Sequence, residues 1–235
     1  MKVRIEQEFW DLFPEAQISL LLVKGLDNRI DASKEPYFKE LLTKAAKQAE
    51  TFILEEPFTQ NQVIQEWRQA FTKFKTKKGA RSSIEALLKR VSQGREFNPI
   101  NPLVDLYNSI SLSYGLPCGG EDLAKIEGDL HLGQAEGGES FFPLGAESDA
   151  PALPGEIIYY DEGGAVCRCL NWREAQRTML TEETKEAILV IEAINEEQKQ
   201  RAQVAMQDLQ GLIKDYFGLS GQILHLTAEN PYLEY

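Results

Sequence analysis

A chain of 235 residues with 43% hydrophobic content can bury a substantial core, which excludes a disordered tail. Met1–Phe13 mixes charges with aromatics and lacks the apolar centre of a signal peptide. The longest apolar stretch, near Ile18–Val23, is too short to cross a bilayer, so a soluble cytoplasmic protein with no membrane partner is expected.

The net charge of −12 weighs against nucleic acid as a partner, because phosphate repels an acidic surface. The charge is unevenly spread, however. Arg68 to Arg95 holds nine basic residues against the single acid Glu85, a local balance of +8 that leaves −20 for the rest. Such a strip suits local docking of a polyanion, or is simply a solvated face.

Ile18–Val23, ending at Gly25, reads as a buried strand with a turn over 25–28. Phe38, Leu41, Leu42, Ala45, Ala49, Phe52 and Ile53 then recur at helical spacing. So do Val63, Ile64, Trp67, Phe71 and Phe74, with Pro57 between the two helices and the second starting from Thr59 or Asn61. Ser82 with Glu85 three residues later forms a capping-box pattern for a short helix ending near Gly94. Its first-turn amides beside Arg81 suit a phosphate; alternatively Arg81 pairs with an internal carboxylate and Ser82 only caps.

Leu103, Val104, Leu106, Tyr107, Ile110, Leu112 and Tyr114 cover a helix apolar nearly all round, central to the core. Glu121 to Glu162, with eleven acids and one lysine among glycines and prolines, reads as short strands and loops. Residues 155–160 and 165–170 flank Asp161-Glu162-Gly163-Gly164, a hairpin with Val166, Arg168, Leu170 and Trp172 on one face and Cys167, Cys169 and Asn171 on the other. Thr181 is expected to cap a helix through Ile188, Ile191 and Ile194. A further helix runs from Ala202 to Gly218, and a last strand covers 222–227. The three cysteines, Cys118, Cys167 and Cys169, read as reduced thiols; with only His131 and His225 besides, no metal and no cofactor is expected.

Residues 82–145 and 181–185 carry a pattern that resembles the tRNA-editing domain of the phenylalanyl-tRNA synthetase beta subunit. The matching pieces are Leu103-Val104-Asp105-Leu106-Tyr107-Asn108, Gly115-Leu116-Pro117, Gly138-Glu139 through Leu144, and Thr181-Glu182-Glu183-Thr184-Lys185. The resemblance implies an α+β, three-layer fold with mixed and antiparallel sheets packed against helices. It also implies a freestanding member of the family rather than a synthetase subunit. On this reading residues 1–235 form one domain, with 1–80 its strand-helix-helix portion and 196–235 a helix-strand extension. Its partner would be the aminoacylated 3′ end of tRNA, with no obligate protein partner, and its activity the hydrolysis of mischarged aminoacyl-tRNA in trans. The alternative is a noncatalytic RNA-binding or small-molecule-binding module.

Two departures stand out. Gly119 occupies the place of a histidine in the family's editing pocket, and the Met-Gly-Gly-Glu segment is replaced around Asn171-Trp172-Arg173-Glu174, so specificity for tyrosine does not carry over. Hydrolysis of the ester needs a positioned water and donors for the developing oxyanion. The backbone amides of Gly119 and Gly120 are the candidate donors, unless the pair only makes a tight turn after the helix. Asn171, Arg173 and Arg177 are expected to read the terminal ribose, a phosphate or an amide, unless Arg173 only pairs with an acid such as Glu174 to fix the turn. Asn108, Thr178 and Cys118 are further substrate-binding candidates; Asn108 lies three residues after Asp105, so that both could face the pocket or serve as polar anchors. Cys118 lacks the basic neighbour of a nucleophile. Lys73, Lys75, Lys77, Lys78 and Arg81 are the candidate tRNA contacts.

Overall fold

The computed structural model describes residues 1–234; residue 235, the last of the expected 196–235 segment, lies outside the described residues. Two sheets carry the architecture. The four-stranded sheet is antiparallel throughout and is ordered β3 (Cys118–Asp122), β8 (Glu186–Ala193), β2 (Gln17–Lys24), β9 (Gln222–Leu226). The six-stranded sheet is mixed. It is ordered β10 (Tyr232–Glu234), β1 (Lys2–Ile5), β4 (Leu130–Gln134), β5 (Ile157–Asp161), β6 (Gly164–Arg168), β7 (Arg173–Glu174), with β1 and β4 parallel.

The β2 run is apolar at every step because both faces are covered. Ile18, Leu20 and Leu22 face the core between the sheets, while Leu21 and Val23 face the helices α5 (Pro102–Tyr114) and α6 (Glu196–Phe217). The central core also takes Val3, Ile5, Leu132 and Val166 from the other sheet, and is walled by α1 (Gln7–Leu12), α2 (Glu35–Ala49), α3 (Gln62–Ala70) and α4 (Ser83–Ser92). Helices, four-stranded sheet and six-stranded sheet thus stack as layers, in the expected α+β class.

Local signals explain most boundaries. Asn101 caps α5 by accepting from the Val104 amide, and Gly115 ends it in the left-handed conformation (φ 62°) that favours glycine. Gly218 (φ 69°) closes α6 the same way. The structure corrects three expectations. Residues 186–193 form strand β8 rather than a helix. Flanked by β2 and β3 and buried on both faces, the strand shows no alternation in sequence, and its isoleucines mimic a helical spacing. Thr181 accordingly caps no helix; its hydroxyl accepts from the Glu183 amide within a turn. The Ser82–Glu85 capping box does not form: Ser82 makes no side-chain cap, and Glu85 is drawn away by Arg68, whose Nη2 approaches it at 2.7 Å.

Candidate functional site

Along β8 the side chains of Ile188, Val190 and Glu192 point toward the other sheet. Gly119 lies opposite Val190 on the edge strand β3, and Glu121 opposite Ile188. Absence of a side chain at Gly119 leaves room there: a Cβ would meet only Glu174 Oε1, at 3.3 Å. The far wall comes from a corner in the hairpin. Strand β6 stops at Arg168, and Cys169 and Leu170 adopt left-handed φ values of 49° and 62°, breaking the expected alternation and turning residues 171–174 inward. A leucine carries some steric strain in that conformation; the corner is fixed by the Leu170 amide donating to the Ile157 carbonyl at 2.6 Å.

The result is a cavity of about 440 Å³ between the sheets, in the size range of small-molecule sites. Cys118, Gly119, Gly120, Asn171 and Arg173, all singled out in the sequence, line it together. The glycine pair, however, is strand rather than turn. The Gly120 amide engages the Glu174 carboxylate, which commits that donor, and the Cα of Gly120 faces Leu189 and Leu180. Asn171 is also committed: its Nδ2 donates to Glu192 Oε2, and its carbonyl accepts from the Ser83 amide at 3.2 Å at the start of α4. Arg173 is exposed at the rim, its guanidinium 5.2 Å from the Trp172 ring. The Cys118 thiol is pushed well above its usual range by burial and by Glu192, so it is no nucleophile at neutral pH.

Three candidates lie elsewhere. Arg177 forks onto Asp161 at 2.9 and 2.5 Å and donates to the Lys125 carbonyl, leaving no fork for a phosphate. Thr178 is buried behind β3, outside the lining, with its carbonyl accepting from the Asp122 amide and its hydroxyl directed at the Glu121 carboxyl. Asn108 stands on α5 outside the cavity lining, and Asp105 bonds the Ile100 amide at 2.9 Å beside a different hollow.

Carboxyls dominate the cavity. Glu192 accepts from Tyr159 Oη at 2.8 Å and from Asn171; burial raises its pKa to about 7 against these two donors. Glu174 is likewise raised to about 7 by burial, and Glu121 is raised well above the usual carboxylate range by burial and by its neighbour Glu174. Glu121 is only 6% exposed, and its Oε2 has no hydrogen-bond partner among the described residues. Nor has the buried Ser83 hydroxyl on the opposite wall. Sequence reasoning missed Ser83, Glu121, Tyr159 and Glu192 as lining residues. The one available signal was Glu192, an acid inside an otherwise apolar run. Among the described residues no group of His, Cys, Asp and Glu is placed to hold a metal.

A second hollow adjoins the first and shares Trp172 and Arg173 with it. Its other walls include Lys78, Arg81, Lys89 and Arg95. Lys78, Arg81 and Arg95 make no ion pair within the described residues, and the loop carrying Lys75 and Lys77 is held by its backbone, through Lys75 N–H to Gly155 O and Lys77 N–H to Cys169 Sγ. Lys73 is occupied instead with the Leu12 carbonyl and the Phe13 ring.

No helix among the described residues is long and apolar enough to cross a membrane. No curated protein matches the sequence. The fold is similar to a crystal structure of an N-terminal fragment of the phenylalanyl-tRNA synthetase beta-subunit from Pyrococcus horikoshii, with a TM-score of 0.50 and 14% identity over 94% of this chain. The match spans 49% of that fragment, about half its length. A family model described as B3/4 domain matches residues 66–218, well over half of the chain, and the protein therefore belongs to the B3/4 domain family.

Proposed function

We propose that this protein binds the aminoacylated 3′ end of tRNA and hydrolyses mischarged aminoacyl esters in trans. The observation that carries the reading is the junction at Trp172 and Arg173, where a cationic groove meets a carboxylate-lined cavity. A ligand with phosphates at one end and an ammonium-bearing acyl group at the other matches that polarity, and few other ligand classes do. Residues 1–235 act as one unit in this reading.

Glu192, oriented by Tyr159 and Asn171 and with a pKa near neutrality, suits a general base. It takes a proton from water as the water oxygen attacks the ester carbonyl carbon. The Ser83 hydroxyl, lacking a partner, can donate to the oxyanion. Collapse breaks the carbonyl–ribose C–O bond, and the proton returns from Glu192 to the ribose oxygen, releasing amino acid and tRNA. Arg173 at the rim is suited to the terminal phosphate or ribose.

The second reading, a binding module without turnover, is favoured by the commitment of the Gly120 amide to Glu174 and by the glycine at position 119. A panel of mischarged tRNAs decides between them. Release of amino acid above the buffer rate, lost in Glu192→Gln and reduced in Arg173→Ala, supports the hydrolase. No release with salt-dependent tRNA binding retained would leave the binding module.

A further inference from the structure

We propose that the Glu121–Glu174 carboxyl pair receives an ammonium group carried on an aliphatic stem, so that the aminoacyl groups this cavity takes are those of diamino acids with a side-chain amine. The inference rests on the aminoacyl reading above and adds the substrate class.

The two acidic positions in the cavity differ in what they lack. Glu192 already has a donor on each oxygen, from Tyr159 and Asn171. Glu121 has the Thr178 hydroxyl and the more distant Arg177 charge acting on its carboxyl, yet its Oε2, buried and lining the cavity, has no donor within hydrogen-bonding distance among the described residues. A buried carboxyl oxygen without a donor is costly and uncommon, and a ligand cation would complete it. Glu174 has the Gly120 amide acting on its carboxylate, and the missing side chain at Gly119 leaves Glu174 Oε1 open toward the cavity.

The cavity's walls include the apolar Leu130, Leu144, Leu170 and Val190, and among the described residues the only lysine or arginine lining it is Arg173 at its rim. Apolar walls leading to unpaired carboxyls suit methylenes that end in a charge. The α-ammonium sits one carbon from the ester carbonyl at which Glu192 directs the water, so a second amine, farther along the side chain, is what meets the Glu121–Glu174 pair. Burial raises both carboxyls above the usual range, Glu121 further through its neighbour Glu174, so binding of an ammonium there is coupled to release of a proton to solvent.

The test is calorimetric titration of the full chain with lysine methyl ester, with norleucine methyl ester, which has the same stem without the side-chain amine, and with 1,5-diaminopentane. The lysine ester should bind at least about tenfold more tightly, since a site built around a polar group rejects the analogue lacking it. Glu121→Gln should abolish that preference. Glu174→Gln reports the same loss should the first variant fail to fold. Equal binding of the two esters overturns the inference while leaving the aminoacyl reading intact. Binding of 1,5-diaminopentane without either ester supports the amine site and removes the aminoacyl reading. Binding by none of the three overturns the inference, and the tRNA deacylation assay then decides the reading separately.

Discussion

Asn171 and Glu192, 21 residues apart in sequence, are joined by a hydrogen bond from Asn171 Nδ2 to Glu192 Oε2. Through it the corner after β6 is tied to the central strand β8. Both donors to Glu192 lower its pKa, yet burial leaves it at about 7, above the 4.5 of a free glutamate. The native state therefore binds the proton more tightly than the unfolded chain does. Glu192 stabilises the fold fully below pH 4.5, and that contribution is lost as pH rises to about 7, with a span of about 3 kcal/mol. Urea midpoints at pH 5 and pH 8 should differ less in Glu192→Gln than in the wild type. An unchanged difference would place the titration on another group.

Gly119 and Gly120 should respond oppositely to alanine. A Cβ at Gly120 would sit 2.5 Å from Leu189 Cδ2 and 3.1 Å from Leu180 Cδ1, inside a packed core. Overpacking of that kind costs about 1–3 kcal/mol. A Cβ at Gly119 meets Glu174 Oε1 alone, at 3.3 Å, and points into the cavity. Gly119→Ala is expected to melt within about a degree of the wild type while weakening binding of an aminoacyl ester; Gly120→Ala should melt several degrees lower. Thermal melts with ester titrations check both.

What the sequence made legible follows from where each signal originates. The α5 and α6 boundaries were readable because Gly115 and Gly218 end helices by local backbone chemistry. Strand β8 was not, because burial on both of its faces is a tertiary fact that erases alternation, and misreading it hid Glu192. The capping box failed because Arg68, 17 residues away, offers Glu85 a stronger partner than a backbone amide. A working cap lies at Asn195, which accepts from the Gln198 amide at 2.9 Å, while Gln198 Oε1 reaches back to accept from the amide of Ile194, one residue before the cap. The convergence of residues 118–120 with 171–173 was inferred from a family resemblance. The pairing of Arg177 with Asp161 is likewise illegible, because nothing local in the sequence marks Asp161 as its partner.

The basic strip divides into two classes with separable consequences. Arg81 and Arg95 line the groove without an ion pair among the described residues, so Arg81→Glu with Arg95→Glu should leave the melt unchanged and weaken tRNA binding. The slope of log affinity against log salt should fall by about one for each phosphate that is no longer neutralised. Arg68→Ala should do the reverse. It strands the buried Glu85 carboxylate and destabilises the fold by about 1–3 kcal/mol, with tRNA affinity of the folded fraction preserved. Filter binding across a salt series, alongside melts, separates the two.

The deepest ion pair stands next to the corner that lines the site. Arg168 and Glu156, 1% and 0% exposed, meet through Nε to Oε2 at 2.8 Å and Nη2 to Oε1 at 2.5 Å, and Arg168 Nη1 also donates to the Ala150 carbonyl. Arg168 is the residue immediately before the left-handed corner at Cys169 and Leu170, from which residues 171–174 enter the cavity. Glu156→Ala leaves a buried guanidinium without its carboxylate and is expected to cost about 3–5 kcal/mol. Glu156→Leu combined with Arg168→Met removes both charges and should recover much of that loss. If the pair also sets the corner, the double variant will fold yet bind aminoacyl esters more weakly than the wild type. Full ester affinity in the stable double variant would mean that the corner holds its geometry through the Leu170–Ile157 hydrogen bond and local packing alone.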